Sequence, residues 1–212
     1  MKKQLLGAFI FIGILAQFLV LTVNIILHEM TLRQGIVCRF QTAPVDPFDA
    51  FRGQYVALDF SAFRDSSRSG VLMDTSIPRG KWCYLQIGTD TNGFATIEKF
   101  SPKRDVVSPY LKARVKYSWE DYIMEPDENG TRNSKRTGKY RIAFDLPFTR
   151  YYMPEHLAPQ AEDAYRRVNP SGQRNAAAVV RLWRGRAVIE DLEIEGIPVR
   201  TFLKQSSEEK TP

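Results

Sequence analysis

Two cysteines and two histidines in 212 residues leave little with which to hold a metal ion. Cys38, Cys83, His28 and His156 stand far apart, and a structural or catalytic metal site needs more ligands than that. No metal or other cofactor is expected. The nucleophile-elbow pattern G-x-S-x-G is absent, which leaves serine-hydrolase chemistry of that type without support. Internal repeats are absent as well. A concentrated basic run is also missing. The net charge is +6, but Lys2 and Lys3 belong to the flank of an apolar run; without them 28 basic residues face 24 acidic ones, with both signs interspersed. Nucleic-acid binding calls for a basic face and usually a motif, so no nucleic-acid partner is expected.

Long apolar runs are scarce too, with one exception. Leu5–Leu27 has 23 residues and no charge. As a helix it spans roughly 34 Å, enough for the hydrocarbon core of a bilayer. A cleavable signal peptide would have an apolar region of only about 7–15 residues and a small-x-small cleavage site. Ile25–Met30 offers no such site, so the run is expected to be an uncleaved transmembrane helix. Lys2 and Lys3 precede it, whereas His28, Glu29 and Arg33 follow with nearly balanced charge. The positive-inside rule then places residues 1–4 in the cytoplasm and the domain after residue 27 on the other side of the bilayer, at the inner membrane if the source is bacterial. Gln17 and Asn24 are seven residues apart and share a helix face. They form a candidate contact with another membrane helix, or are two tolerated amides.

An extracytoplasmic domain sits in an oxidising compartment, where Cys38 and Cys83 are a candidate disulfide. Both also fall on the apolar parity of expected strands, Ile36/Cys38/Phe40 and Cys83/Leu85/Ile87, so two buried thiols are the other reading.

Residues 28–203 read as one antiparallel β-rich domain, mainly β in an α+β sense, with one helix. His28–Gln34 is expected to connect anchor and domain. Gln54–Phe60 alternates as a strand, with Val56, Leu58 and Phe60 on one face. Arg64–Gly80 is polar and turn-rich. Lys81–Ile87 and Phe94–Phe100 flank a turn containing Asn92–Gly93, and Asn175–Trp183 and Arg186–Ile194 flank Arg184–Gly185; both pairs are hairpin signals. Tyr110–Trp119 puts Leu111, Ala113, Val115, Tyr117 and Trp119 on one face and Lys112, Arg114 and Lys116 on the other. That basic stripe is either an ordinary solvated face or a surface for anionic lipid headgroups or an acidic partner. Glu125–Gly138 reads as a long polar loop, and Pro154–Val168 as the helix, with Pro159 a point at which it restarts. Residues 204–212 read as a disordered tail.

The organising stretch is Pro44–Phe60. Pro44, Pro47, Asp46 and Asp49 make a turn, Gly53 allows a corner, and Gly53-Gln54-Tyr55-Val56-Ala57-Leu58-Asp59-Phe60 leads into the strand. This octet resembles the signature of the GDYXXLXY-domain family. The lead-in Pro44-Val45-Asp46-Pro47 with Phe51-Arg52, the later Tyr152-Met153-Pro154-Glu155 and the closing Gly196-Ile197-Pro198 are similar to further family features in the same order. The resemblance implies a membrane-anchored bacterial protein. It also implies a multi-pass membrane partner encoded nearby, and it implies no reaction. Two positions depart from the family pattern: its aspartate is Gln54 here, and its last tyrosine is Phe60. Gln54 does not titrate, so it suits tying down the turn better than acid–base work.

Asp46 and Asp49, with Glu155, are the carboxylates best placed for acid–base or cation chemistry, although the positions of the first two beside Pro47 and before Gly53 are already explained by turn capping. Arg52 suits an ion pair. Glu190, Asp191, Glu193 and Glu195 form either a solvated strand edge or an acidic rim. A single N-in anchor, a β-rich domain and Arg52-Gly53-x-Tyr55-Val56 are similar to the layout of type I signal peptidases, although Pro44–Gly53 holds neither their serine nor their lysine. Two functions are therefore carried forward. The first is a non-enzymatic periplasmic protein, anchored in the bilayer, that binds or stabilises a multi-pass membrane protein; its candidate contact residues are Asp46, Asp49, Arg52, Gly53, Gln54, Tyr55, Leu58 and Glu155. The second is an envelope hydrolase using Asp46, Asp49 or Glu155.

Overall fold

The computed structural model describes residues 2–43, 55–65, 68–69, 71–126, 132–154, 157–168 and 175–208. Asp46, Asp49, Arg52, Gly53, Gln54 and Glu155, with most of the Pro44–Phe60 turn, lie outside the described residues.

The first element is a single helix, α1 (Lys2–Gln34). Its stretch Ile10–Gln34 is long and apolar enough to cross a membrane. Ile10, Phe11, Phe18, Leu19 and Ile25 are more than half exposed, so the domain does not cover this surface. The helix does not stop at the membrane run, and His28–Gln34 is not the loose connector expected from polarity. No helix breaker occurs before Gly35, Glu29 pairs with Arg33 at 2.7 Å across one turn, and Thr31 is wholly buried with its Oγ1 donating to the Leu27 carbonyl at 2.7 Å.

Chain order then gives β1 (Ile36–Ala43), β2 (Tyr55–Ala57), β3 (Asp59–Phe60), a 3-10 turn at Ser61–Phe63, β4 (Arg64–Asp65), β5 (Arg68–Ser69) and β6 (Val71–Met73). The long strands follow: β7 (Trp82–Thr89), β8 (Ala95–Ser101), β9 (Tyr110–Pro126) and β10 (Arg132–Asp145). Last come β11 (Arg150–Tyr152), α2 (Ala158–Val168), β12 (Ala176–Trp183), β13 (Arg186–Ile194), β14 (Ile197–Pro198) and α3 (Val199–Glu208). The strands build two five-stranded sheets, ordered β14-β13-β12-β1-β3 and β6-β10-β9-β7-β8, with small pairs β11-β2 and β4-β5. Every strand ladder is antiparallel.

Both sheets turn their alternating apolar faces to one core. Phe40, Val180, Leu182 and Leu192 come from the first sheet, and Leu85, Ile87, Leu111 and Ala113 from the second. Phe40, Phe60, Phe63 and Phe148 form its aromatic centre, with ring centroids 5.1–6.5 Å apart. Ala161, Ala164 and Tyr165 of α2 and Val199 and Leu203 of α3 add to it. Ile77, Cys83, Val115 and Ile142 make a smaller cluster further along the second sheet.

Several expectations are corrected. Gln54–Phe60 is not one continuous strand: it breaks at Leu58, whose amide donates to the Thr149 carbonyl at 2.9 Å. The β2 side pairs with β11 and the β3 side with β1. Among the described residues the domain holds two helices, because Val199 and Leu203 are one turn apart and both seek the core; residues 204–208, expected to be disordered, continue α3. Pro159 sits in the first turn of α2, where its missing N–H costs nothing. Within Arg64–Gly80, β6 pairs with β10. Glu125–Gly138 is largely strand, since backbone ladder bonds form whatever the side chains. Tyr117 and Trp119, on the apolar parity of β9, are 49% and 42% exposed because a register shift between the pairs Val115–Phe144 and Tyr117–Ala143 puts one extra residue, Lys116, into β9 and turns the odd positions beyond it off the core face.

Candidate functional site

The described residues form a polar concavity where the domain meets α1. Its geometry begins at Gly35. The Gly35 amide donates to the Thr31 carbonyl at 2.9 Å, and a Cβ here would lie 2.3 Å from that oxygen and 2.9 Å from the Arg181 Cβ. The end of α1 is therefore pressed onto β12. Arg181 fastens the corner from the sheet side, donating to the Gly35 carbonyl at 3.2 Å and gripping Glu190 with bonds of 2.8 and 2.9 Å.

β12 runs antiparallel to β1, with Leu182 opposite Ile36, so the turn after Trp183 reaches back beside the helix. Arg184 has φ +50° and Gly185 φ +82°, the backbone of a tight hairpin turn. The Gly185 carbonyl accepts the Lys112 amide of β9 at 2.9 Å, and a Cβ at 185 would lie 2.9 Å from the Tyr110 ring. The turn is thus clamped between the anchor helix and the second sheet.

What results is a groove of about 760 Å³. Asn24, His28 and Thr31 form its helix wall; Trp82, Lys112 and Arg114 come from β7 and β9; Asp145 ends β10, and Leu146 and Pro147 follow it; Arg184–Val188 complete it. Lys112, Arg114, Arg184 and Arg186 are exposed, and among the described residues none of them forms an ion pair. Aromatic and backbone contacts hold three of them. The Lys112 Nζ is 4.7 Å from the Trp82 ring centroid, the Arg184 guanidinium is 4.8 Å from that of Trp183, and Arg114 Nε donates to the Gly80 carbonyl at 3.0 Å. Against these four cations stands one carboxylate, Asp145. Such an arrangement suits an anion.

Of the described sequence-derived candidates, Asn24 and the basic-stripe residues Lys112 and Arg114 line the groove, and Gln17, Tyr55, Leu58, Cys38 and Cys83 do not. Tyr55 opens β2 opposite Tyr152, and Leu58 is a buried core residue. Gln17 is exposed on α1, seven residues from Asn24, whose amide donates to the Val20 carbonyl at 3.0 Å while facing the groove. The Cys38–Cys83 disulfide is not formed: both are free, buried thiols, one in each apolar cluster. Burial pushes each thiol from about 9 up to about 11.

The acidic strand positions are largely paired. Glu190 holds Arg181, Glu193 accepts from Arg39 Nε at 3.0 Å, and Asp191 accepts from the Tyr151 hydroxyl at 3.0 Å. Burial first, and Asp191 second, push Tyr151 up to about 12. Among the described residues no cluster of three or more His, Cys, Asp and Glu is placed to hold a metal ion.

Arg184, Arg186 and Trp82 were missed as site residues, because a turn and a strand end explain them locally. The recoverable signal was an aromatic beside a cation, Trp183–Arg184.

A second feature projects from the groove end of the second sheet. β9 pairs with β7 as far as Arg114 opposite Trp82, then continues to Pro126 with β10 as its only neighbour among the described residues. β10 pairs with β6 only at Tyr140–Ile142, so Tyr122–Pro126 and Arg132–Arg136 form a two-stranded arm. At its base a register shift with Gly138 at φ +72° meets a buried ion pair, Arg141 to Asp121 Oδ1 at 2.9 and 3.1 Å. The arm and the strand feeding it expose Tyr117, Trp119, Tyr122, Ile123 and Met124.

Together these features define a β-rich domain clamped to a single candidate membrane-spanning helix, with a cationic groove at the joint. The chain belongs to the GDYXXLXY protein family, whose model matches residues 17–192. Gly196-Ile197-Pro198 lies beyond the matched residues. No curated protein and no solved structure matches the chain.

Proposed function

We propose that this chain is a non-enzymatic protein of the bacterial inner membrane, with its N-terminus in the cytoplasm and its β-rich domain in the periplasm. Its job is to bind and stabilise a multi-pass membrane protein. The β9–β10 arm carries this reading. Residue parity puts Tyr117, Trp119 and Ile123 on one face and Tyr122 and Met124 on the other, and all five are exposed. A two-stranded ribbon has no core of its own, so apolar side chains on both faces are poorly accounted for in an isolated domain. Aromatic residues and methionine are the types enriched in protein interfaces. An open ladder edge adds backbone donors and acceptors for strand addition. The arm continues the same strand, β9, that supplies Lys112 and Arg114 to the groove. The Gln17–Asn24 face of α1 provides a second contact within the bilayer.

Photo-crosslinking in intact membranes tests this. A photoreactive residue at Trp119 or Met124 should capture a multi-pass membrane protein, whereas one at Lys99, exposed on another strand, should not. Recovery of the uncrosslinked chain alone, together with a hydrolytic activity abolished by Asp46→Ala, Asp49→Ala or Glu155→Ala, would establish the enzyme instead.

A further inference from the structure

We infer that the groove between α1 and the Arg184–Gly185 turn is a binding site for the phosphate headgroup of an anionic phospholipid, in the leaflet on the domain side. The inference needs α1 to span the bilayer and is independent of any protein partner.

Position is the first argument. Asn24 belongs to the uncharged run Leu5–Leu27 and His28 is the first residue beyond it, so the groove opens across the boundary between hydrocarbon and headgroups. Charge is the second. Lys112, Arg114, Arg184 and Arg186 line the groove against Asp145 alone, four basic side chains to one carboxylate. None of the four is neutralised by an ion pair among the described residues. Cations gathered from two sheets beside a membrane helix attract a phosphodiester as juxtamembrane basic clusters do. Shape and polarity are the third. About 760 Å³ accommodates a headgroup and its glycerol, and Leu146 and Val188 supply apolar wall. Trp82, 51% exposed at the rim under the Lys112 ammonium, has the amphipathic character that settles at a membrane interface.

The local fold holds these groups in advance of any ligand. The Lys112 amide is bonded to Gly185, and Arg114 Nε to Gly80. Lys116, on the same strand face, does not line the groove, so the stripe visible in the sequence divides into a binding pair and a bystander.

The test uses the full chain in detergent, delipidated and titrated with phosphatidylglycerol, phosphatidylcholine or inorganic phosphate, with bound species counted by native mass spectrometry. One phosphatidylglycerol should be retained in preference to phosphatidylcholine. The Arg184→Ser/Lys112→Ser double variant should lose affinity by roughly tenfold to thirtyfold, and Lys116→Ser should retain it. Both variants should keep the wild-type circular dichroism spectrum. If the double variant is misfolded, Arg114→Gln and Arg186→Gln, each on an exposed side chain, replace it. Equal retention of both lipids, unchanged binding in the folded groove variants, or binding of inorganic phosphate without lipid preference would each overturn the inference.

Discussion

The amide of Lys112 donates to the carbonyl of Gly185 at 2.9 Å, and this bond joins the second sheet to the tip of a hairpin from the first. Lys112 and Gly185 are far apart in the chain, yet the pair fixes where the anchor, the basic residues of β9 and the Arg184 turn meet. Whatever function the groove has depends on this junction.

Gly185→Ala should therefore be costly. The residue has φ +82°, and the added Cβ would lie 2.9 Å from the Tyr110 ring and 3.1 Å from the Lys112 Cβ. Left-handed backbone alone costs about 1–2 kcal/mol and overpacking roughly 1–3 kcal/mol more. Chemical denaturation should show a loss in that range, with Arg184→Gly, at φ +50°, close to neutral or slightly stabilising.

Phe60 stands where the family pattern has tyrosine, and its surroundings explain why the hydroxyl is missing. The side chain is wholly buried, with Phe148, Phe40 and Phe63 ring centroids at 5.1, 5.8 and 6.5 Å. A hydroxyl buried there without a partner costs about 1–3 kcal/mol. Phe60→Tyr should lower the denaturation midpoint accordingly, while Phe60→Leu should cost more through lost packing and show it as a larger shift.

The Arg141–Asp121 pair anchors the arm, with side chains only 5% and 8% exposed. Asp121→Ala leaves a buried guanidinium without its carboxylate and should cost about 3–5 kcal/mol. Amide hydrogen exchange should rise first in Tyr117–Met124. The double replacement Asp121→Leu/Arg141→Met should recover most of the loss, because two buried charges are then removed together.

Cys38 and Cys83 give the protein an alkaline weakness. Their thiols are pushed up to about 11 in the folded state, so the folded protein keeps protons that the unfolded chain releases. This contribution is fully present below about pH 9 and is lost as pH rises through about 11. It amounts to roughly 2 kcal/mol per thiol. Tyr151, pushed up to about 12, steepens the decline from about pH 10. A Cys38→Ala/Cys83→Ala variant should be less stable at pH 7 because of its cavities, yet flatter between pH 9 and 11. Reducing agent should leave the wild-type midpoint unchanged.

Much of the fold was legible. Period-2 alternation located β7, β9, β10, β12 and β13, and Asn92–Gly93 and Arg184–Gly185 marked their turns, with Gly93 at φ +83° and Gly185 at φ +82°. Polarity misled at the ends of elements. It shortened α1 at Leu27, although the helix continues because Thr31 packs against the sheet. It also turned the extension of β9 and β10 into a loop. At Val199–Glu208 a short polar segment became a helix because two side chains one turn apart reach the core.

The sequence alone determined the candidate membrane span, the antiparallel β-rich class and the family, since these rest on local quantities: an uncharged run of membrane length, alternation and short motifs. Tertiary structure decided the candidate site. Lys112 and Arg114 looked like part of a solvated stripe and Arg184–Gly185 like a turn. Only folding brings them together beside Asn24 and His28, because β12 runs back along β1 to the helix and Gly185 has no Cβ to keep β9 away. Charge becomes a candidate site through convergence in space, and spacing along the chain does not reveal it.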